Sequence, residues 1–565
     1  MGSPDNQPAA RLFAGWDDSS GRTCLIAADG QEYSHARIAA LGGQVAALAA
    51  RAPALVLIEG RNTPAFIAAH VAALRAGLAV HVLDPARTRD NARLEEEFRP
   101  LAVIATAGPE PQVRLTSLHP APVHPDLALL LPTSGTTGSS KMAKISARAI
   151  AANTASIIEY LGIGPADCAI TTLKPFYSFG MSVLNTHLEA GGSILLNDAG
   201  IETPEFWQRA ASRPVTSLAG VPHTFELLAT LLPRLETLPS LRFLAQAGGR
   251  LAPGLVRQFA GLGARSGWDF FVMYGQTEAS PRISYLPPAL AGEFPDSIGQ
   301  AIPGGRLWIA DEHGRPVDAP DAEGELYYAG PNVMSGYAHG ADDLAGLEDL
   351  PHLATGDLAR RLANGLFVIT GRRSRFVKPF GLRISLDAVE ALLADEGIAA
   401  AAAPHGDGIA VLVAAGGAAD AAVRVRQILA TRLHLPAALF DVRVADAIPL
   451  LPNEKIDRRA VAAIVATPGE TGSGGARAFI GEVWREFVAI LHDRSATASC
   501  VLDIFIEQFG DRVHQESDSF IELGGDSMAA VTFAIALEEM LGSLPEDWPS
   551  MSIAQLERLR ESSLV

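Results

Sequence analysis

The sequence predicts an α/β protein in three parts: a large N-terminal unit of mostly parallel sheets plus a small antiparallel β part, a small α+β unit, and an all-α helical bundle at the end. Three observations carry this. From about 20 to 350, short apolar runs alternate with helix-length amphipathic stretches, the pattern of βαβ units. After about 280 the text turns to apolar–polar alternation around Gly and Pro, the pattern of antiparallel strands. ATPGETGSGGAR (466–477) has no apolar periodicity and reads as a flexible linker to a helical tail. The expected boundaries are 1–371, 372–465, the linker 466–477, and 478–565.

Taken in order, ALVLIEG (54–60) is strand-like, TPAFIAAHVAALRAG is helical, and LAVHVLD is again a strand. LAVIATA (102–108) and SILLND (193–198) have the same strand character. PGGRLWIADEHGRPV and GELYYAG alternate as antiparallel strands do. Past ITGRRSRF (369–376) come a helix, ISLDAVEALLAD, and strands GIAVLVAAG and FDVRVAD. The alanine-rich 398–417 is broken by Pro404, Gly406, Asp407 and Gly408, so it reads as two short buried strands around a turn rather than a membrane span. FIGEVWREFVAILHD and VLDIFIEQF have helical spacing.

Bulk properties set limits. At roughly 150 residues per domain, 565 residues imply about three or four units. Apolar content of 48% with 19% charged residues is globular. A formal charge of −18 repels phosphate backbones, so nucleic acid is not an expected partner. No apolar run is long enough for a membrane helix. The N-terminal MGSPDNQPAARLFAGW lacks a signal-peptide pattern. Cys24, Cys168 and Cys500 are far apart, without CxxC or Cys/His spacing, so no disulfide framework or zinc site is supported. A cytoplasmic location is the expectation.

The most informative stretch is LLPTSGTTGSSKMAKIS (130–146). Thr133, Ser134, Gly135, Thr136, Thr137 and Gly138 are all Thr, Ser or Gly, and Lys141 follows. Glycines let backbone N–H groups approach an anion, hydroxyls add donors, and a lysine adds charge. A Ser/Thr-rich surface loop has the same composition. The spacing is not Walker A, because Lys141 comes three residues after Gly138.

The order of these residues resembles the phosphate loop of the adenylate-forming superfamily: acyl-CoA synthetases, nonribosomal peptide adenylation domains and luciferases. Four further stretches resemble that superfamily's motifs in its order: VMYGQTEAS (272–280), LATGDLARR (353–361), ITGRRSRFVKPFGLRISLDAVE (369–390) and IPLLPNEKIDRRAV (448–461). The resemblance implies that ATP and a carboxylic acid give an acyl-adenylate and pyrophosphate, and that the acyl group then passes to a thiol. It implies that residues 133–138 hold the β,γ-phosphates, with Gly248, Tyr274, Gly275 and Gln276 at the nucleotide. Asp357 would accept the ribose hydroxyls and Arg372 would support the sugar. Thr277 would contact the α-phosphate, Glu278 would help hold Mg²⁺, and Lys455, with Lys141 as a second cation, would serve the first half-reaction. Ser374 corresponds to the hinge and Gly381 to the thiol tunnel. The chain departs from the family pattern at Ser140 (usually Pro), Ser374 (usually Asp or Lys) and Glu454 (usually Gly).

KPFYSFGMSVLNTHLEAGG (174–192) would line the acyl pocket, with Tyr177 as an aromatic gate and Ser182, Ala247 and Arg282 as further lining. Where amino-acid-activating domains carry an aspartate for the substrate ammonium, this chain has Ser178; the nearest carboxylate in the stretch is Glu189. A buried ammonium without a counter-charge is costly. The implied substrate is a carboxylic acid lacking an α-amino group: aryl, hydroxy, keto or short aliphatic. Arg282 would bind a second carboxylate or another acceptor on it, unless it points outward or pairs with a neighbouring acid.

DSFIELGGDSMAAV (518–531) resembles the attachment motif of acyl and peptidyl carrier proteins, and SIAQLERL (552–559) their closing segment. The implied cofactor is 4′-phosphopantetheine on Ser527, although Asp526 or Ser527 also suits a helix cap. HDRSATASCVLDIFIEQFGDRVHQE (492–516) is longer than the usual carrier loop. The combined reading is an adenylation–carrier didomain of natural-product biosynthesis. Its implied partners are a phosphopantetheinyl transferase and a downstream enzyme that takes the acyl group. An acyl-CoA ligase with an accessory helical domain and a catalytically silent nucleotide-binding scaffold are the alternatives.

Overall fold

The computed structural model describes residues 12–117, 119–133, 141–311, 313–373, 375–377, 384–405, 408–414, 421–433, 435, 437–451, 456–466, 500–509, and positions from 515 to 563 around shorter gaps. Ser134, Gly135, Thr136, Thr137, Gly138, Ser374, Gly381, Lys455 and Ser527 lie outside the described residues, as do 467–477 of the expected linker and the expected helix at 478–492; Ala466, the linker's expected first residue, instead ends a helix. The chain divides into two compact units, residues 1–373 with 450–455, and residues 374–449 with 456–565.

The first unit contains two large mixed sheets and a five-stranded antiparallel one. In the seven-stranded sheet the central strands Leu55–Glu59, Ala79–Leu83, Ala102–Ala105 and Leu127–Pro132 are parallel. Antiparallel strands flank them, among them Met142–Ser146. In the nine-stranded sheet Cys168–Ile170, Ser193–Leu195, Ser217–Gly220, Phe243–Gln246 and Asp269–Gly275 run parallel, and Arg282–Leu286 returns antiparallel. Five antiparallel strands, including Glu323–Ala329, Leu353–Arg361 and Phe367–Arg372, form the small β part.

Helices start where the sequence supplies caps. Thr63 accepts the Phe66 N–H, and Pro64 opens helix Pro64–Arg75. Thr203 and Pro204 do the same for Pro204–Ala211. A hydroxyl cap satisfies an otherwise unpaired N–H, and proline has none to lose at that position. Residues 65–74 of the first of these helices are all buried. Its His70 ring nitrogen lies 3.0 Å from the Asn185 amide oxygen of helix Ser178–Glu189. Burial lowers the His70 pKa to about 4, so the ring stays neutral at physiological pH. This pair joins two helices within a core to which both large sheets contribute, through Val56, Val80 and Leu129 on one side and Leu25, Ala169 and Ile194 on the other.

The second unit has a three-stranded sheet of Ala400–His405, Gly408–Ala414 and Phe440–Ala445. Alternation along the central strand covers both faces. Ile409, Val411 and Val413 pack with Val389 and Leu393 of helix Leu386–Asp395 and with Val425 and Leu429 of helix Ala421–Leu433. Ala410 and Leu412 pack with Val461 and Val465 of helix Arg458–Ala466. Farther on, helices Val501–Phe509 and Ile553–Ser563 share an apolar cluster with Phe520, Leu537, Leu541 and Trp548. The two strands expected at 398–417, and the helix expected at VLDIFIEQF, are present; Gly406 and Asp407, where the turn was expected, lie outside the described residues.

Candidate active site

The Ser/Thr/Gly loop bridges two antiparallel strands, Leu127–Pro132 and Met142–Ser146. At its neck the Thr133 N–H and hydroxyl both donate to the Lys141 carbonyl, at 3.2 and 3.1 Å. The Lys141 ammonium lies 3.5 Å from the centroid of the Tyr337 ring, a cation–π contact. The Tyr337 hydroxyl donates to Glu278 Oε1 at 3.1 Å. Burial, then the neighbouring Glu278 carboxylate, pushes this phenol's pKa well up, so it stays a donor. Lys141, Tyr337 and Glu278 therefore form one chain of contacts. Tyr337 was not singled out from the sequence, because a lone tyrosine in SGYAHG carries no periodic signal.

A second cluster centres on Asp357, which is only 3% exposed. Its strand register pairs it with Arg372, whose Nε lies 3.0 Å from Oδ1. Oδ2 accepts from the Tyr274 hydroxyl and, at 3.1 Å, from Gln276 Nε2. The Gln276 amide is itself anchored on the Thr355 carbonyl at 2.8 Å. Burial, then the Asp357 carboxylate, raises the Tyr274 pKa well above its ordinary value and keeps the phenol protonated. Glu325, on a facing strand, accepts from the Gly356 N–H at 3.2 Å and from the Arg373 guanidinium at 2.5 Å, so it bonds the residue on either side of the Asp357–Arg372 pair. Glu325 and Thr355 also escaped the sequence reading. A buried glutamate inside GELYYAG looks like an ordinary outward residue of an alternating strand.

Thr277 and Glu278 lie on a short 3₁₀ turn, Thr277–Ala279. Asn332 holds that turn, donating to the carbonyls of Ala279 at 2.6 Å and Arg282 at 2.9 Å, while Ser280 donates to the Asn332 carbonyl at 2.8 Å. The Met334 N–H donates to the Glu278 carbonyl at 2.8 Å. Gly275 enters the turn under tight restriction: a Cβ there would sit 1.9 Å from the Pro281 carbonyl oxygen. Gly275→Ala is thus expected to displace the Thr277–Glu278 backbone and to cut acid-dependent pyrophosphate exchange by roughly 10²-fold, the scale of a misplacement near 1 Å. The check is exchange kinetics beside circular dichroism, with the folded spectrum retained.

Arg282 begins strand Arg282–Leu286 and is buried. Its backbone is held by Asn153, whose amide donates to the Arg282 carbonyl at 3.1 Å. The guanidinium carbon lies 4.1 Å from the centroid of the Phe179 ring, and Nη2 donates to Ser182 Oγ at 3.4 Å. Arg282 and Ser182 line a small cavity with His187 and Ser217, walled by Phe179 and Phe243 among other apolar side chains. Tyr177 and Ser178 stand at the start of helix Ser178–Glu189, half-buried, and are not among that cavity's lining residues. Ala247 is buried in the apolar cluster that includes Phe179, and Gly248 follows it at φ +91°. Glu189, at the far end of the helix, accepts the Phe13 N–H at 2.7 Å. His187 was not anticipated. Its position in a helix of apolar and small residues resembles that of any buried histidine.

Residues 93–338 match the family model described as AMP-binding enzyme. Over that span the chain is similar to AMP-binding enzymes. Asp357 and Arg372 lie beyond the matched span. The chain is similar to phenyloxazoline synthase MbtB from Mycobacterium sp. (strain MCS), 29% identical over 475 residues, covering 76% of this chain and 37% of that protein. It is similar to the dimodular nonribosomal peptide synthase of Bacillus subtilis (strain 168), 28% identical over 473 residues, covering 78% of this chain and 18% of that one. The chain thus spans well under half the length of these relatives. Among solved structures, ATP-bound MatB from Rhodopseudomonas palustris superposes with a TM-score of 0.67 at 24% identity, over 81% of this chain and 99% of that one. The o-succinylbenzoate CoA synthetase of Bacillus subtilis bound to AMP gives 0.62 at 20%, over 78% and 95%. At such identity these likenesses establish the fold, with its mixed α/β sheets. AMP-binding enzymes are ATP-using, adenylate-forming ligases. No helix among the described residues is long and apolar enough to cross a membrane.

Proposed function

We propose that this chain activates a carboxylic acid lacking an α-amino group as an acyl-adenylate, and that the acyl group is then delivered as a thioester to 4′-phosphopantetheine on its own Ser527, the acyl–phosphate bond breaking and AMP leaving. The observation that carries the first part is the Asp357 cluster: a buried carboxylate flanked by Tyr274, Gln276 and Arg372 suits a sugar's vicinal hydroxyls. In the reaction a carboxylate oxygen of the acid bonds to the α-phosphorus of ATP. The bond from that phosphorus to the oxygen bridging the α- and β-phosphates breaks, and pyrophosphate leaves with the electron pair. No proton moves in this step. Lys141 and the loop 133–138 hold the phosphates, Thr277 meets the α-phosphate, and Lys455 brings a cation between the two reacting anions.

Glu278 suits Mg²⁺. Only one of its carboxylate oxygens has a protein partner among the described residues, Tyr337. Among those residues no cluster of three or more His, Cys, Asp or Glu forms a dedicated metal cage, and magnesium is typically held by one or two carboxylates plus substrate phosphates. When bound, the ion neutralises phosphate charge as the carboxylate approaches.

The absence of an α-amino group on the acid has physical support. Glu189 accepts the Phe13 N–H through one oxygen and is not among the cavity's lining residues, and the cavity is lined by the Arg282 cation, which repels an ammonium.

The test is acid-dependent pyrophosphate exchange, followed by intact-mass analysis of the pantetheinylated chain with ATP and pooled acids. Exchange together with an added acyl mass is expected. Ser527→Ala should exchange pyrophosphate but gain no mass. Lys455→Ala should take up pantetheine and lose exchange by 10²-fold or more, on the order of other transition-state cations. Acyl-CoA release without acylation of the chain would replace the built-in acceptor with free CoA. Absence of exchange with every acid would sink the reading.

A further inference from the structure

We propose that the acid is a short dicarboxylic acid, and that its second carboxylate is held by Arg282; this rests on the adenylation reading above. Arg282 is 3% exposed, yet among the described residues no carboxylate pairs with it. Its side-chain neighbours are the Ser182 hydroxyl, the Phe179 ring and the Tyr160 phenol. None of them is an anion. Burial raises the Tyr160 pKa to about 12, so the phenol stays neutral. Arg282 Nε is buried with no hydrogen-bond partner. A charge removed from water is strongly disfavoured unless it is paired and hydrogen-bonded, and buried N–H donors are nearly always satisfied. A planar guanidinium matches a carboxylate in two parallel bonds.

The cavity beside Arg282 points the same way. Ser182 already donates to the Phe179 carbonyl at 2.7 Å, and Thr186 to the Val183 carbonyl at 3.1 Å. His187 lies between the Val183 carbonyl, 2.9 Å from Nδ1, and Ser217 Oγ, 3.0 Å from Nε2. Burial lowers its pKa to about 4, so it adds no second positive charge. Nδ1–H is therefore given to Val183, and Ser217 donates to Nε2. These hydroxyl and ring donors are committed within the protein, so the donors left for a ligand belong to Arg282. One carboxylate brings the charge of the site to zero. A keto or hydroxyl oxygen would meet the open N–H but leave the charge unbalanced. The cavity, about 20 Å³, has room for one small polar group and not for a ring.

The experiment compares pyrophosphate exchange by the full chain on matched pairs: malonate against propionate and methyl malonate, and succinate against butyrate and methyl succinate. The expected result is a kcat/KM for at least one dicarboxylate more than about 10²-fold above its methyl ester and its monoacid. Arg282→Ala should cut that advantage to less than about tenfold, and Arg282→Lys, which keeps charge without the planar fork, should fall between. Binding of the dicarboxylate alone by the unmutated chain, read by calorimetry, keeps the test independent of how Arg282→Ala folds. Exchange with monoacids as good as or better than with dicarboxylates would overturn the dicarboxylate assignment and leave adenylation standing. So would an equal loss for all acids in Arg282→Ala. No exchange with any acid would overturn both.

Discussion

Asp357→Ala is expected to lower kcat/KM for ATP in pyrophosphate exchange by about 10²–10⁴-fold. The carboxylate would accept two ribose hydroxyls, and hydrogen bonds to a charged group are worth roughly 1.5–3 kcal/mol each. The loss has a second source. Without Asp357, the Tyr274 hydroxyl, the Gln276 amide and the Arg372 guanidinium lose the acceptor that orients all three. Asp357→Asn separates the two effects, because it keeps one oxygen acceptor while removing the charge. It should retain more of the Gln276 and Tyr274 geometry and still fall well below the unmutated chain. The measurement is exchange at varied ATP with the acid saturating. A change confined to the KM of the acid would contradict a nucleotide role for Asp357.

The second large effect is on stability. In the second unit, Glu390 accepts from Arg375 and Arg458 and also from the Ala402 N–H, at 2.7 Å. Burial raises the Glu390 pKa, but the two guanidiniums more than offset this and hold it below the usual carboxylate range. Breaking a buried ion pair from one side leaves the partners' charges uncompensated and costs roughly 3–5 kcal/mol. The lower end applies here, because the Arg458 side chain is 35% exposed. Glu390→Gln should therefore lower the melting temperature of this unit by about 6–12 °C. A depressed folded-state pKa gives stability that is fully present above the unfolded value, about 4.3. It is lost as pH falls through the folded value. The melting difference between the two proteins should be constant near neutrality and shrink below about pH 4. A difference that persists unchanged into acid would mean that packing, not charge, accounts for it.

Local pattern made much of the fold legible. Leu55–Glu59, Pro64–Arg75 and Ala79–Leu83 follow from an apolar run, a Thr-Pro start with helical length, and a second apolar run. The two strands around 406–407 follow from the glycines and proline that interrupt an otherwise apolar stretch. Residues whose partners are distant in sequence were not legible. Glu325 meets Gly356 and Arg373, and Tyr337 meets Lys141 and Glu278, through strand pairings that no local window contains. Asn332 is hidden in the same way, acting on a turn some fifty residues earlier. Within helix Ser178–Glu189, Ser178 and Ser182 stand one turn apart. Only the packing decides that Ser182 is the one beside Arg282.

That helix carries two obligations at once. Phe179, Ser182 and His187 face the cavity, while Leu184 and Leu188 fill the core and Asn185 bonds His70. An evolutionary drift toward a different acid that began on this helix would disturb the packing that holds the first unit together. The freer route runs through Ala219 and Ala245, small residues that reach the same cavity from two sheet strands. There a larger side chain would reshape the cavity and leave the His70–Asn185 link between the helices in place. Substrate choice here is more easily narrowed from the sheet than rewritten from the helix.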